Sequence, residues 1–396
     1  MLSDKQVTIL LEMSSMVDRG ILEGIANFSG AKGNWLITMD SPFYRDMVNP
    51  SVVDKIRCSH PTGIIIREPG DNRCQRRQFD EILDLHVPTI VVATTSECAA
   101  GDGVIHVDNA EIGRVAAEYL LDKGFCCFGY FGFCSLPWSQ QRKESFCRTI
   151  SERGGKLYDY DRLSNIANLF SKKEEESLVR WLKGLPKPIG IMAYNDKNAR
   201  HVIEAGKIAQ ISIPDDVAVI GVGNDKLICE ISNPPLSSIA LNTGKAGYEA
   251  AALLDEFMQK PERQAQRVVI TAGAVGVVER FSTDIIAIND DDVKRAVLFI
   301  RKNWKKPLQN SDVAQAAAVS IRTLQDKFRD WLGRSIHDEI TRTRVAEVAK
   351  ILRETDMPTT VIVEEMGFGS ERNLIRNFER EMKITPGRYR RQFLNG

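Results

Sequence analysis

Two sets of polar residues stand out for the chemistry they permit. In the C-terminal quarter, Arg322, Thr323, Gln325 and Asp326 interleave with Leu324 and Phe328; about fifty residues on, Glu371, Arg372, Asn373 and Arg376 interleave with Leu374 and Phe378. Apolar residues four apart bury one stripe of a helix and turn the intervening positions outward. Arg, Asn, Gln and short hydroxyls reach base edges and phosphates, and a helix fits the major groove, so the chemistry is DNA recognition. The second set lies upstream, where Asp18 and Arg19, Asp108, Trp138 and Arg142, Asn195 and Asp196, and Asn224 and Asp225 each follow an apolar run. Carboxylates, amides, an Arg and an indole suit a small polyhydroxylated ligand, hydrogen-bonded at its edge and stacked on its apolar face. Taken singly, Asp and Asn ahead of a helix are commonly N-caps, and Trp138 is as readily core. Recurrence at the same end of successive strands is what argues for a binding site.

The elements that must position these residues follow from hydrophobic periodicity. Strands are expected over Val7–Glu12, Trp35–Met39, Gly63–Arg67, Thr89–Ala93, Val104–Val107, Cys127–Phe131, Gly190–Tyr194, Val217–Val222 and Val275–Arg280, alternating with helices over Arg19–Phe28, Arg76–Leu85, Asn109–Asp122, Ser139–Glu152, Glu174–Lys183, Lys197–Lys207 and Gly244–Met258. Such alternation means parallel sheet covered by helices on both faces, and the number of βα units is too large for one compact sheet, so two lobes are expected. Downstream, one pattern is written twice. The first copy offers Ser311 as N-cap, inward Val313 and Ala317, a tight turn and Ser320 as a second cap; the second has inward Ile362 and Met366, a Gly367-Phe368-Gly369 turn and Ser370 as cap. Both copies predict helix-turn-helix. Between them Ile336–Glu354 runs without Gly or Pro, which at 1.5 Å per residue gives a helix of about 28 Å, enough to set two recognition helices near one duplex turn apart.

Composition narrows the class further. From Asp290 onward there are 21 Lys and Arg against 16 Asp and Glu, although the whole chain of 396 residues is neutral; a modest positive bias suits a segment that approaches phosphates. Eight cysteines, at positions 58, 74, 98, 126, 127, 134, 147 and 229, form no Cys-x-x-Cys pair and share no ligand spacing with the five histidines. No metal site or cofactor is expected, and reduced thiols point to the cytoplasm. The N-terminus predicts a first strand rather than a signal peptide or membrane span. The phosphate-loop, Gly-x-Ser-x-Gly and His-Glu-x-x-His patterns are missing from the sequence, which argues against a catalytic role. The acidic run Asn289–Asp292 marks a boundary, giving an effector domain over 1–282, a linker over 283–292 and a DNA-binding domain over 293–396.

The last hundred residues resemble the AraC-type DNA-binding domain, whose second motif is matched by Gly367, Phe368, Ser370, Leu374, Arg376, Phe378, Thr385, Pro386, Tyr389 and Arg390. Three positions depart from it: Ala318 where the first turn usually has Gly, Glu379 where a basic residue often touches phosphate, and Lys383 where Gly often ends the helix. Upstream, Val107-Asp108-Asn109, the helix carrying Arg142, Ala193–Asp196, Ile220–Val222 and Asn242–Leu254 resemble the LacI-type effector domain. That resemblance implies the two-lobed fold of type I periplasmic binding proteins. Gly223 stands where that family usually has an acidic residue that binds the sugar. Joined in this order over nearly the whole chain, the two resemblances imply an α/β two-lobed sensor followed by an all-α AraC-type domain with two helix-turn-helix motifs. They imply a homodimeric activator of pentose catabolism, with double-stranded operator DNA, RNA polymerase and a small sugar such as D-xylose as partners. The alternatives are a ligand-relieved repressor and an α/β carbohydrate-active enzyme.

Overall fold

The structure, a computed structural model, describes residues 5–32, 35–40, 52–70, 73–94, 100–133, 135–160, 171–259, 267–285, 290–366, 368, 370–382 and 384–394. Gly367, Gly369, Lys383, Cys98 and Cys134 lie outside the described residues. The chain divides into two compact units, one of Met1–Glu118 with Cys127–Thr283 and one of Tyr119–Cys126 with Asp284–Asn395.

The first unit holds two six-stranded sheets. Strands β1 (Lys5–Leu10), β2 (Trp35–Asp40), β3 (Gly63–Arg67), β4 (Thr89–Val92), β5 (Gly103–Val107) and β11 (Val268–Ala272) form one, in the order β11-β5-β4-β3-β1-β2. Strands β6 (Cys127–Phe131), β7 (Lys156–Asp159), β8 (Ile189–Ala193), β9 (Val217–Gly223), β10 (Ser237–Leu241) and β12 (Ala274–Val278) form the other, in the order β12-β10-β9-β8-β6-β7. Every pairing is parallel except β10 with β12. Central strands β3, β4, β8 and β9 are apolar almost throughout and buried on both faces, as a helix-covered parallel sheet demands. The chain passes between the sheets three times, after β5, after β10 and between β11 and β12. The backbone bonds Asp108 N to Ala272 O (2.9 Å) and Asn242 N to Gly273 O (3.1 Å) knit these crossings together.

Helix α1 (Met16–Lys32) follows β1 and packs on α9 (Thr243–Gln259). A Cβ on Gly24 would lie 1.9 Å from Gly244 O, and one on Gly247 2.0 Å from Ile21 O, so the two backbones approach as closely as only glycine permits. On the second sheet sit α4 (Asn109–Asp122), α5 (Pro137–Glu152), α7 (Asp196–Ile208) and the short α8 (Lys226–Ile231).

The second unit is all helical. Helices α10 (Asp291–Asn303), α11 (Asn310–Ala317) and α12 (Ile321–Leu332) share one core with the start of α13 (Ile336–Glu354), built on Val293, Ile300, Val313, Leu324, Phe328 and Ile340. The end of α13 forms a separate core with α14 (Thr359–Glu365), α15 (Glu371–Met382) and α16 (Pro386–Leu394), built on Val348, Leu352, Ile362, Leu374, Phe378 and Tyr389. The expected inward residues are inward, and α13 has the expected bounds. One cap differs: Ser311 lies inside α11, whose N-cap is Gln309, because Asp312 Oδ2 reaches back to accept from Gln309 N at 2.8 Å. Ser320 accepts from Thr323 N (3.1 Å) and Ser370 from Asn373 N (3.2 Å), so α12 and α15 begin as expected. Ala318 closes α11 in the left-handed conformation, φ 59.

Candidate functional site

The upstream residues gather where the C-terminal ends of the two sheets meet. Asp18, fully buried in the first turn of α1, accepts from Glu12 N (2.8 Å) and is held by Arg67 at the end of β3, whose Nε donates at 3.0 Å. Burial pulls the Arg67 guanidinium down to about 10, against the raising effect of Glu68 and Glu12. Arg19, exposed, reaches across to Asp225 on the other lobe in an ion pair, and Lys197 Nζ donates to Ser14 O at 3.0 Å. These two contacts join the lobes.

On the second lobe Arg142 is 5% exposed. Its Nε donates to Asn109 Oδ1 (2.9 Å), its Nη1 to Tyr194 O (2.5 Å), and its Cζ lies 5.1 Å from the centre of the Trp138 ring. Trp138 in turn lies 5.2 Å from the ring of Tyr194. Burial lowers the Arg142 guanidinium to about 10, with Tyr130, Asp196 and Tyr194 acting the other way. Asp196 is buried, accepts from Asp225 N (2.8 Å) and from Ser238 Oγ, and is raised by burial to about 6, against the pull of those same hydrogen bonds.

Several of the expected residues serve the fold. Asp108 caps α4 through Glu111 N (2.8 Å), and Asp225 caps α8 as well as meeting Arg19. Asn195, not Asp196, is the N-cap of α7, accepting from Asn198 N at 2.9 Å; Asp196 sits one residue inside, where the first helical turn and Asp225 N hold it. Asn224, at φ 54, has its Oδ1 taken by Arg280 Nη2 at 2.9 Å. Sequence reasoning did not single out Arg67, Arg280 or Tyr194. Arg67 carried one signal, a charge closing an apolar strand.

In the helical unit, Arg322, Thr323, Gln325 and Asp326 are exposed on α12, and Glu371, Arg372 and Arg376 on α15, opposite the buried Leu324–Phe328 and Leu374–Phe378 stripes. Asn373 is half-buried and accepts from Arg376 Nη2 (3.1 Å) and Asn377 Nδ2 (2.9 Å), which holds Arg376 along the helix. Lys327 on α12 bridges Asp290 (2.7 Å) and Asp292 (2.5 Å), tying the helix to the start of α10. Asp326 faces Arg329 at 3.7 Å, a loose exposed pair. Two outward helices on a shared rigid helix form an arrangement suited to successive major-groove segments.

Known proteins agree with both halves. Residues 105–283 match the family of periplasmic binding protein-like domains, and residues 313–392 match a helix-turn-helix domain family. The chain is 26% identical to the xylose operon regulatory protein of Haemophilus influenzae over 394 residues, covering 97% of this chain and 98% of that protein. The chain is a transcription regulator in which a periplasmic-binding-protein-like domain precedes a helix-turn-helix domain, and it is similar to the xylose operon regulators over nearly its whole length. The Escherichia coli xylose operon regulatory protein is likewise 26% identical, across 97% of this chain and 96% of that one. A solved structure of a xylose-binding transcription activator superposes with a TM-score of 0.61 at 25% identity, covering 98% of this chain and 99% of that one. These proteins are regulators rather than enzymes, and this chain is a regulator too. Among the described residues, no helix is long and apolar enough to cross a membrane.

Proposed function

We propose that this regulator senses a small sugar of pentose scale between its two lobes and, as a cytoplasmic homodimer, presents its double helix-turn-helix domains to paired operator sites as an activator that recruits RNA polymerase. The effector domain spans 1–282, the linker 283–292 and the DNA-binding domain 293–396. Support comes above all from one observation: the lobe-bridging contacts Arg19–Asp225 and Lys197–Ser14 are made by the same strand-end loops that carry Asp18, Arg67, Asn195 and Asp196. A ligand seated there changes the balance between lobe arrangements by as much as its affinities for them differ. The names of the full-length relatives make D-xylose the first sugar to test. Arg142, Trp138 and Asp18 are assigned to the effector; Arg322, Thr323, Gln325, Asp326, Glu371, Arg372, Asn373 and Arg376 to operator DNA.

The test is calorimetry of the full chain with pentoses and hexoses, followed by operator titration and reporter transcription with and without the sugar that binds. Increased transcription on ligand addition supports activation, and ligand-released operator binding identifies a repressor instead. If operator affinity and transcription stay unchanged across the panel, the proposal fails.

A further inference from the structure

We infer that Trp304 and Arg344 are positioning residues for DNA recognition: they staple the two halves of the helical unit together across the middle of α13, so that α12 and α15 meet grooves of one fixed separation. This rests on the two-groove reading above and adds what holds its spacing.

The two helical cores meet along α13. Ile340 is its last residue in the first core and Val345 its first in the second, with Thr341–Arg344 between them. Thr341 Oγ1 donates to His337 O at 2.9 Å, a back-bond of the kind that often bends helices, so on its own this seam would let the halves swing. A second connection crosses it. Helix α10 sends Val293, Ala296, Val297 and Ile300 into the first core, and Phe299 packs there too. Trp304, one turn beyond Ile300 at the C-cap of α10, packs instead on the second core, and Leu308 returns the chain to the first. The strap from Phe299 to Leu308 therefore dips into one core between two anchors in the other.

Arg344, inside the seam, fixes the strap to α13. Its Nε donates to Trp304 O at 3.0 Å and its Nη2 to Lys306 O, so the guanidinium fork closes the carbonyl end of α10. Lys306 N donates to Asn303 O (2.9 Å) and Leu308 N to Lys306 O (2.8 Å), and Pro307 fixes the backbone between them. Lys305 Nζ lies 5.4 Å from the centre of the half-buried Trp304 ring and covers it. With both arms on carbonyls, the Arg344 fork serves the protein's own backbone rather than a phosphate. A lysine here would keep the charge and lose the two-armed grip.

The experiment selects duplexes from a randomised pool with the full chain, footprints them, and remakes the best with one base pair added or removed between the two protected segments. Each base pair turns one segment relative to the other by about 35°. The unmodified chain is therefore expected to lose about tenfold or more in affinity for either change. In Arg344→Lys and Trp304→Leu that penalty is expected to fall to about threefold or less, and Trp304→Phe to retain it. A lower melting temperature in the variants with the spacing penalty unchanged makes the contacts merely structural and overturns the inference. A flatter salt dependence with that penalty unchanged assigns Arg344 to phosphate and overturns it as well. A small penalty in the unmodified chain overturns it without any variant, so the test survives a variant that folds poorly. A footprint on a single groove segment overturns the two-groove reading together with the inference.

Discussion

Ala318→Gly should stabilise the helical unit. Ala318 closes α11 at φ 59, ψ 36, with its own N–H on Gln315 O (3.1 Å) and the N–H of Val319 on Ala314 O (3.1 Å), the double closure that normally ends on glycine. The Cβ of an L-residue in that conformation costs about 1 to 2 kcal/mol, which glycine avoids. Glycine also gives the unfolded chain more freedom, returning about 0.4 to 1 kcal/mol. Ala318 is exposed, so removing its methyl group forfeits little packing. The balance is a gain of about 0.5 to 1 kcal/mol, a rise of roughly 2 to 8 °C in the melting temperature of a domain of this size. Gly333 closes α12 at φ +64 with open space around its would-be Cβ, so Gly333→Ala is the reciprocal experiment and should cost a similar amount. Differential scanning calorimetry of the full chain resolves the transition that moves. A gain from both substitutions, or from neither, refutes the argument from backbone strain.

Further predictions follow from the same contacts. Burial holds the Asp196 carboxyl at about 6 in the folded protein against an ordinary value of 3.8, so its contribution, about 3 kcal/mol, is fully present below pH 4 and lost as pH rises through 6. Urea titrations of wild type and Asp196→Asn between pH 4 and 7 should therefore diverge, the wild type losing stability relative to the variant as pH rises; parallel curves would remove burial as the cause. Phe378→Ala should cost about 3 to 5 kcal/mol by emptying the second helical core, read as a lower denaturation midpoint. Arg376→Ala should cost about 1 to 3 kcal/mol of operator affinity and relax preference at one base pair. A uniform loss across all operator variants would assign Arg376 to phosphate instead.

The helical unit was the more legible half because its signals are local. Caps, i, i+4 pairs and a breaker-free linker lie within a few residues of one another; among the described residues the Ser311 cap was misplaced, displaced by the reach of Asp312 back to Gln309. In the α/β unit, β3, β6, β8 and β9 announced themselves as apolar runs. Strand β10 did not, because Ser237 and Ser238 open it; both are buried, bonding to Arg280 O and to Asp196. Asp18 and Arg142 were visible as strand-end polar residues. The partner Arg67, which lies 49 positions from Asp18 in sequence, was visible only once the fold brought them together.

Because α13 is shared by two otherwise separate hydrophobic cores, it sets an angular phase as well as a distance. Each residue added to its middle would turn α15 by about 100° relative to α12 while lengthening the spacer by only about 1.5 Å. Operator geometry is thus written into the helical repeat of one segment. A single insertion should abolish two-groove binding, whereas seven residues, returning nearly to the starting rotation, should instead select sites with a wider gap.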